Sequence, residues 1–99
     1  MEPDPAAFDS VLLSRVRLGV VGVLVSRREA TFPDLKALLG VTQGNLTIHL
    51  GKLEAAGYVA IEKSFVDRKP RTTVTLTAKG RKAFLEHVEA LDRLARGEP

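Results

Sequence analysis

The chain has 99 residues, 44% of them apolar and 27% charged, with no cysteine and a formal net charge of +3. That length and apolar share build one compact core, leave no room for two domains and exclude a largely disordered chain. Without cysteine there are no disulfides, no thiolate nucleophiles and none of the common cysteine-containing zinc sites.

The longest apolar stretch, Leu18 to Val25, is bracketed by Arg15, Arg17, Arg27 and Arg28 and falls well short of the ~20 residues that a membrane-spanning helix needs. It predicts a buried helix and no membrane span. The N-terminus carries acids where an export signal carries bases, so no secretory signal and a cytoplasmic location are expected. Charge is distributed unevenly: residues 1–10 hold three acids and no base, whereas residues 62–82 hold seven bases against two acids, a local net of +5. Such a cluster is either an electrostatic footprint for phosphate or solvated surface.

In chain order, residues 1–8 read as a loose arm leading into a short helical turn over 9–13. Ser14 stands where a cap belongs, before Val16, Val20, Val23 and Leu24 at helical spacing, which predicts a first helix over 15–27. Thr31 as cap, Pro33 in the first turn and Gly40 as terminator predict a second helix over 32–39, with Leu35, Leu38 and Leu39 inward. Only Gly40-Val41-Thr42 separates it from a third helix over 43–56, capped by Thr42, whose apolar positions Leu46, Leu50 and Leu53 repeat at i, i+4 and i+7. After Gly57 the period falls from 3.6 to 2, predicting a two-stranded hairpin over 58–76 with its turn at Asp67-Arg68-Lys69-Pro70. Thr77 caps a last helix over 78–96, with Phe84, Val88, Leu91 and Ala95 as one apolar stripe.

Two helices joined by a very short glycine-containing turn and followed by a hairpin make a helix-turn-helix with a wing. The segment VTQGNLTIHLGKLEAAGYV resembles the recognition helix of winged-helix regulators of the MarR and ArsR type, in which a capping Thr or Ser, a Gln, His-Leu, Lys-Leu-Glu and Ala-Gly recur at these spacings. DRKPRTTVTLTAKGR resembles their wing, with its basic tip and a Leu-Thr-Xaa-Xaa-Gly lead into the last helix, and SRVRLGVVGVL resembles their first helix, where proline often replaces Arg15. The resemblance spans about residues 10–95. It implies one mostly helical α+β domain over 1–99: three helices, a two-stranded wing and a C-terminal dimerisation helix. It also implies a homodimeric transcriptional regulator on double-stranded DNA.

The residues fit that expectation. A helix in the major groove reads bases through the side opposite its core stripe, which here carries Gln43, Gly44, Thr47, Ile48 and Gly51, flanked by Thr42, Asn45 and Lys52. Gln43 and Asn45 suit adenine, and Thr47 can donate a hydrogen bond or present its methyl to thymine. Gly44 and Gly51 cost about 1 kcal/mol each in helix propensity, which suggests a need for close approach. Ile48 stands where the family commonly has arginine, so a thymine methyl replaces guanine as its expected target, with burial in a contact as the alternative. His49 can reach a phosphate or bond within the fold. Arg68, Lys69 and Arg71 crowd the wing tip, suited to a minor groove or its phosphates. Arg15 and Arg17 oppose the dipole at the start of the first helix, which calls for a phosphate or an acidic partner.

The last helix carries more apolar surface than one small core uses, so Phe84, Leu85, Val88, Leu91 and Leu94, with Val11 and Leu12, are the expected dimer interface, and His87 lies among them. A two-fold dimer sets its reader helices about 34 Å apart, on a pseudo-palindromic operator. No nucleophile with a base, carboxylate pair in a cleft or phosphate loop can be assembled, so no enzyme, cofactor or metal site is expected. A small-molecule effector would find room only where two copies meet. The rival reading is a winged-helix protein-interaction module without DNA binding, since fold does not fix function.

Overall fold

The computed structural model describes residues 8–98; the arm expected over 1–8 lies outside the described residues except for Phe8. Helix α1 spans Arg15–Arg27, strand β1 Glu29–Thr31, α2 Phe32–Leu39, α3 Gln43–Ala55, β2 Val59–Val66, β3 Lys69–Leu76 and α4 Ala78–Ala95. Each helix starts on a hydroxyl that satisfies a backbone donor two or three residues on. Ser14 accepts from the Arg17 amide, Thr42 from that of Asn45 and Thr77 from that of Gly80, and Thr31 with Asp34 forms a reciprocal capping box. Gly40 closes α2 in the left-handed conformation, φ 62°, which lets the chain turn directly into α3.

The class is the expected one, four helices with an antiparallel sheet, but the sheet has three strands rather than two. Its order is β1-β3-β2, with β1 pairing Glu29 to Thr75 and Thr31 to Thr73. A three-residue strand paired with a segment more than forty residues away leaves no local periodicity to read. The hairpin is also tighter than expected: Val66 pairs with Lys69, so only Asp67 and Arg68 form the turn and Pro70 lies within β3 opposite Phe65. Its missing N–H is harmless, because the partner of a non-hydrogen-bonded pair faces the open edge and β1 stops at Thr73.

The core is built from one face of each element: Val16, Val20, Val21 and Leu24 of α1, Leu35 of α2, Leu46, Leu50 and Leu53 of α3, with Val59 and Val74 of the sheet. Leu12 joins them at 1% exposure, which corrects its expected place on a dimer surface. Asp9 caps the 3-10 turn Ser10–Leu12 through its carboxylate and swings Leu12 inward, leaving Val11 half-buried against the core. Leu38, expected inside, is 52% exposed, because α2 is short and its packing side is filled by Leu35 and Leu39.

Helix α4 buries Gly80, His87 and Ala90 rather than the stripe from Phe84 to Ala95. His87 is core, not dimer surface: its Nδ1 accepts the Asp9 amide at 3.3 Å and the Phe8 ring meets it edge-on. The Tyr58 hydroxyl donates to the Asp9 carboxylate, and burial together with that bond pushes its pKa up to about 12. Residues 8–13 are thereby clamped between α4 and the start of β2.

The Leu-Thr-Xaa-Xaa-Gly sequence acquires a packing reason. A methyl at Gly80 would overlap the Tyr58 carbonyl and come within 2.9 Å of the Leu76 side chain, while the Thr77 hydroxyl donates to the Gly57 carbonyl at 2.6 Å. The first turn of α4 therefore sits directly on the backbone that opens the wing. Gly80→Ala is expected to lower unfolding stability by about 2 kcal/mol or more, as overpacking against rigid backbone does, measured as the urea midpoint; an unchanged midpoint would show that α4 can shift off Tyr58.

Candidate nucleic-acid interface

Burial of Leu46, Leu50 and Leu53 fixes the orientation of α3, and at 100° per residue its remaining positions fall into three strips. Directly opposite the core lie Gly44, Ile48 and Gly51. Ile48 is 61% exposed, so it is not buried within the chain. A methyl at Gly44 or Gly51 would meet nothing within 4 Å; intramolecular packing therefore gives no reason for either glycine, and the ridge they leave is smooth and open.

On the wing side of α3 lie Gln43 and Thr47, joined by Glu54, which the sequence reading did not single out. They form one wall of a cleft of about 1000 Å³ whose other wall is Lys63, Arg71 and Thr72 of the hairpin. An open space of this size within one chain corrects the expectation that only a dimer interface offers room for a small molecule. Thr47 Oγ1 donates to the Gln43 carbonyl at 2.8 Å. That bond uses the Thr47 hydroxyl hydrogen and leaves its oxygen as an acceptor, beside the methyl.

On the far side lie Asn45, His49 and Lys52, near Arg17 of α1. Thr42 spends its hydroxyl on the helix cap. His49 bonds within the fold: its Nδ1 receives an Arg17 guanidinium N–H at 3.0 Å, and burial together with the charges of Arg17 and Lys52 lowers its pKa. Arg17 also donates from Nε to the Val11 carbonyl at 2.6 Å, and Arg15 reaches the Leu39 carbonyl at the end of α2 at 3.5 Å. Within the chain these two arginines are thus met by carbonyls and an imidazole rather than by an acidic side chain.

At the wing, Arg68, Lys69 and Arg71 are all exposed. Among the described residues the ion pairs are Arg27–Asp34, Lys82–Glu86 and Arg96–Asp92, and none involves the wing. Asp67 and Arg68 both have positive φ, 51° and 66°, as the tight turn of a two-residue hairpin requires, although glycine is the usual occupant of the second position. A cation is kept where the backbone favours glycine. The cleft joins wing and α3 on one side of the molecule. Helix α4 lines no part of that cleft; its Leu85, Val88, Leu91 and Leu94 are exposed, while Phe84 is half-buried with its ring against Gly22. Among the described residues there is no cluster of three His, Asp or Glu suited to a metal ion, and no helix is long and apolar enough to cross a membrane.

Residues 16–95 match the winged helix DNA-binding domain family. The chain belongs to that family. It is 35% identical over 89 residues to an uncharacterized protein of Methanocaldococcus jannaschii, spanning 90% of this chain and 92% of that one. In three dimensions it is similar to a transcriptional regulator homologue from Pyrococcus horikoshii, with a TM-score of 0.89, 35% identity and coverage of 98% and 97% of the two chains. It is also similar to the transcriptional regulator BldR from Sulfolobus solfataricus, with a TM-score of 0.72 and 30% identity over 86% of this chain and 60% of that one. These two structural neighbours are thus a transcriptional regulator homologue and a transcriptional regulator.

Replacing Arg68 by glycine separates the two properties of the turn. The variant is expected to gain about 1 kcal/mol of stability by relieving a left-handed non-glycine residue and to lose roughly one unit of salt slope in DNA binding, read by urea unfolding and by fluorescence titration. A destabilised variant would show that the Arg68 side chain holds the hairpin.

Proposed function

We propose that the protein binds double-stranded DNA sequence-specifically as a homodimeric transcriptional regulator, with α3 in the major groove and the wing on the adjacent minor groove and backbone. The observation that carries this reading is the joining of an exposed, side-chain-poor ridge on α3 to the unpaired wing cations by one cleft. Gly44 and Gly51 allow close approach, Ile48 and the Thr47 methyl suit thymine, Gln43 and Asn45 suit adenine, and Lys52, Arg68, Lys69 and Arg71 supply the phosphate contacts. A cytoplasmic location accords with such a role.

The second copy covers α4. Leu85, Val88, Leu91 and Leu94, exposed at 54, 42, 38 and 45%, succeed one another at three-residue steps along that helix. So much contiguous apolar surface marks an interaction site. Val11 and the exposed part of Phe84 are assigned to the same interface, whereas Leu12, buried in the core, does not take part. Two-fold pairing sets the reader helices about one DNA turn apart, on a pseudo-palindromic operator.

Titration of the protein with mixed genomic DNA at two salt concentrations tests the reading. Affinity is expected to fall steeply with salt, with a logarithmic slope near −0.9 per phosphate contact. Arg68→Ala with Arg71→Ala weakens all sequences alike and flattens the slope, whereas Gln43→Ala relaxes preference at one base pair. Absence of binding at low salt would favour a protein-interaction module instead.

A further inference from the structure

The inner face of the hairpin continues past the cleft to the tip. Opposed residues in an antiparallel ladder share a face and every second residue returns to it. The register Ile61 to Val74, Lys63 to Thr72 and Phe65 to Pro70 therefore sets Phe65 and Pro70 on the face that lines the cleft, at its outer end. Phe65 is 76% exposed, more than any other large apolar side chain among the described residues. A hairpin tip in water ordinarily carries polar residues, and nothing among the described residues covers this ring.

The surroundings indicate what does. Lys63 precedes Phe65 on the same face and Arg68 occupies the turn, while Lys69 and Arg71 flank Pro70 from the other face of β3, Arg71 at the edge of the cleft, and Asp67 is the one acid of the tip. A cationic hairpin tip that carries one exposed aromatic ring on its inner face fits a polyanion with an apolar interior reached through a narrow slot. Phe65 also lies four residues beyond Ile61, which lines the cleft beside α3, and so about 13 Å farther along the strand. With α3 in a major groove about 12 Å wide, that reach carries the tip across the phosphate wall to the next minor groove.

We propose that Phe65, backed by Pro70, is an apolar wedge that enters the minor groove of bound duplex DNA, opens a base step and bends the duplex, while Arg68 and Lys69 hold the flanking phosphates. Minor-groove proteins use such wedges, losing some base stacking and gaining wrapped surface. The wedge rests on the DNA-binding reading above, but adds a residue and a deformation that reading does not contain.

The test uses the full chain and a short duplex from the promoter region of its own gene, with a donor and an acceptor dye at its ends. Wild-type protein is expected to shorten the end-to-end distance. Phe65→Ala is expected to bind roughly 5- to 50-fold more weakly, by analogy with the loss of a base-stacking side chain, with an unchanged salt slope and no shortening; Phe65→Leu, which keeps an apolar side chain, retains most of the affinity. Wild-type affinity and bending in Phe65→Ala overturn the wedge. So does conversion of a dimer to monomers by that substitution, which would assign Phe65 to self-association. Failure of the wild type to bind any duplex at low salt removes the DNA-binding reading and the wedge together, whereas wild-type binding without bending removes the wedge alone.

Discussion

The one-sided burial of α3 organises the molecule. Leu46, Leu50 and Leu53 are at most 3% exposed, and burying three leucines stabilises the fold by roughly 1.5–3 kcal/mol each. That packing leaves the helix no rotational freedom, so the opposite ridge is determined by the core. Gly44, Ile48 and Gly51 face outward because the leucines face inward. The outward ridge is thus positioned as firmly as the interior, a condition for any surface that is to read a groove to within a fraction of an ångström.

The wing and α4 are held to that core by a few close contacts at the Gly57–Gly80 junction. The Thr77 hydroxyl serves two purposes there, accepting from the Gly80 amide and donating to the Gly57 carbonyl, and the absence of a side chain at Gly80 lets α4 lie on Tyr58. From the other side, Asp9 engages Val11, Tyr58 and His87 at once. One short segment therefore ties the N-terminal turn, the base of the wing and α4 together. A displacement of α4 would be felt at the base of the wing, which makes the junction a physical route between that helix and the hairpin.

Much of this was legible in the sequence where the cause is local. Ser14, Thr31, Thr42 and Thr77 announce helix starts because capping is a bond to a neighbour two or three residues away, and the leucine spacing of α3 declares its face. What stayed hidden is set by distant partners. Strand β1 exists only because β3 offers it an edge, Leu12 and His87 are buried by segments far away in sequence, and Arg17 is held by Val11 and His49 rather than by anything its helix position suggests. Glu54 and Phe65 were passed over for a related reason: α3 and the hairpin form a shared cleft only after folding, and the exposure of Phe65 looks like an ordinary strand residue until the register places it at the tip.

Amide chemical shifts of the labelled protein, followed as a short duplex is added, test whether the α3 ridge and the wing tip together form the DNA-binding surface. Changes are expected to concentrate at Gly44, Thr47, Ile48 and Gly51 and at residues 65–71, with the α4 amides of Leu85 to Leu94 unmoved. Changes centred on α4, with the α3 ridge silent, would contradict that reading.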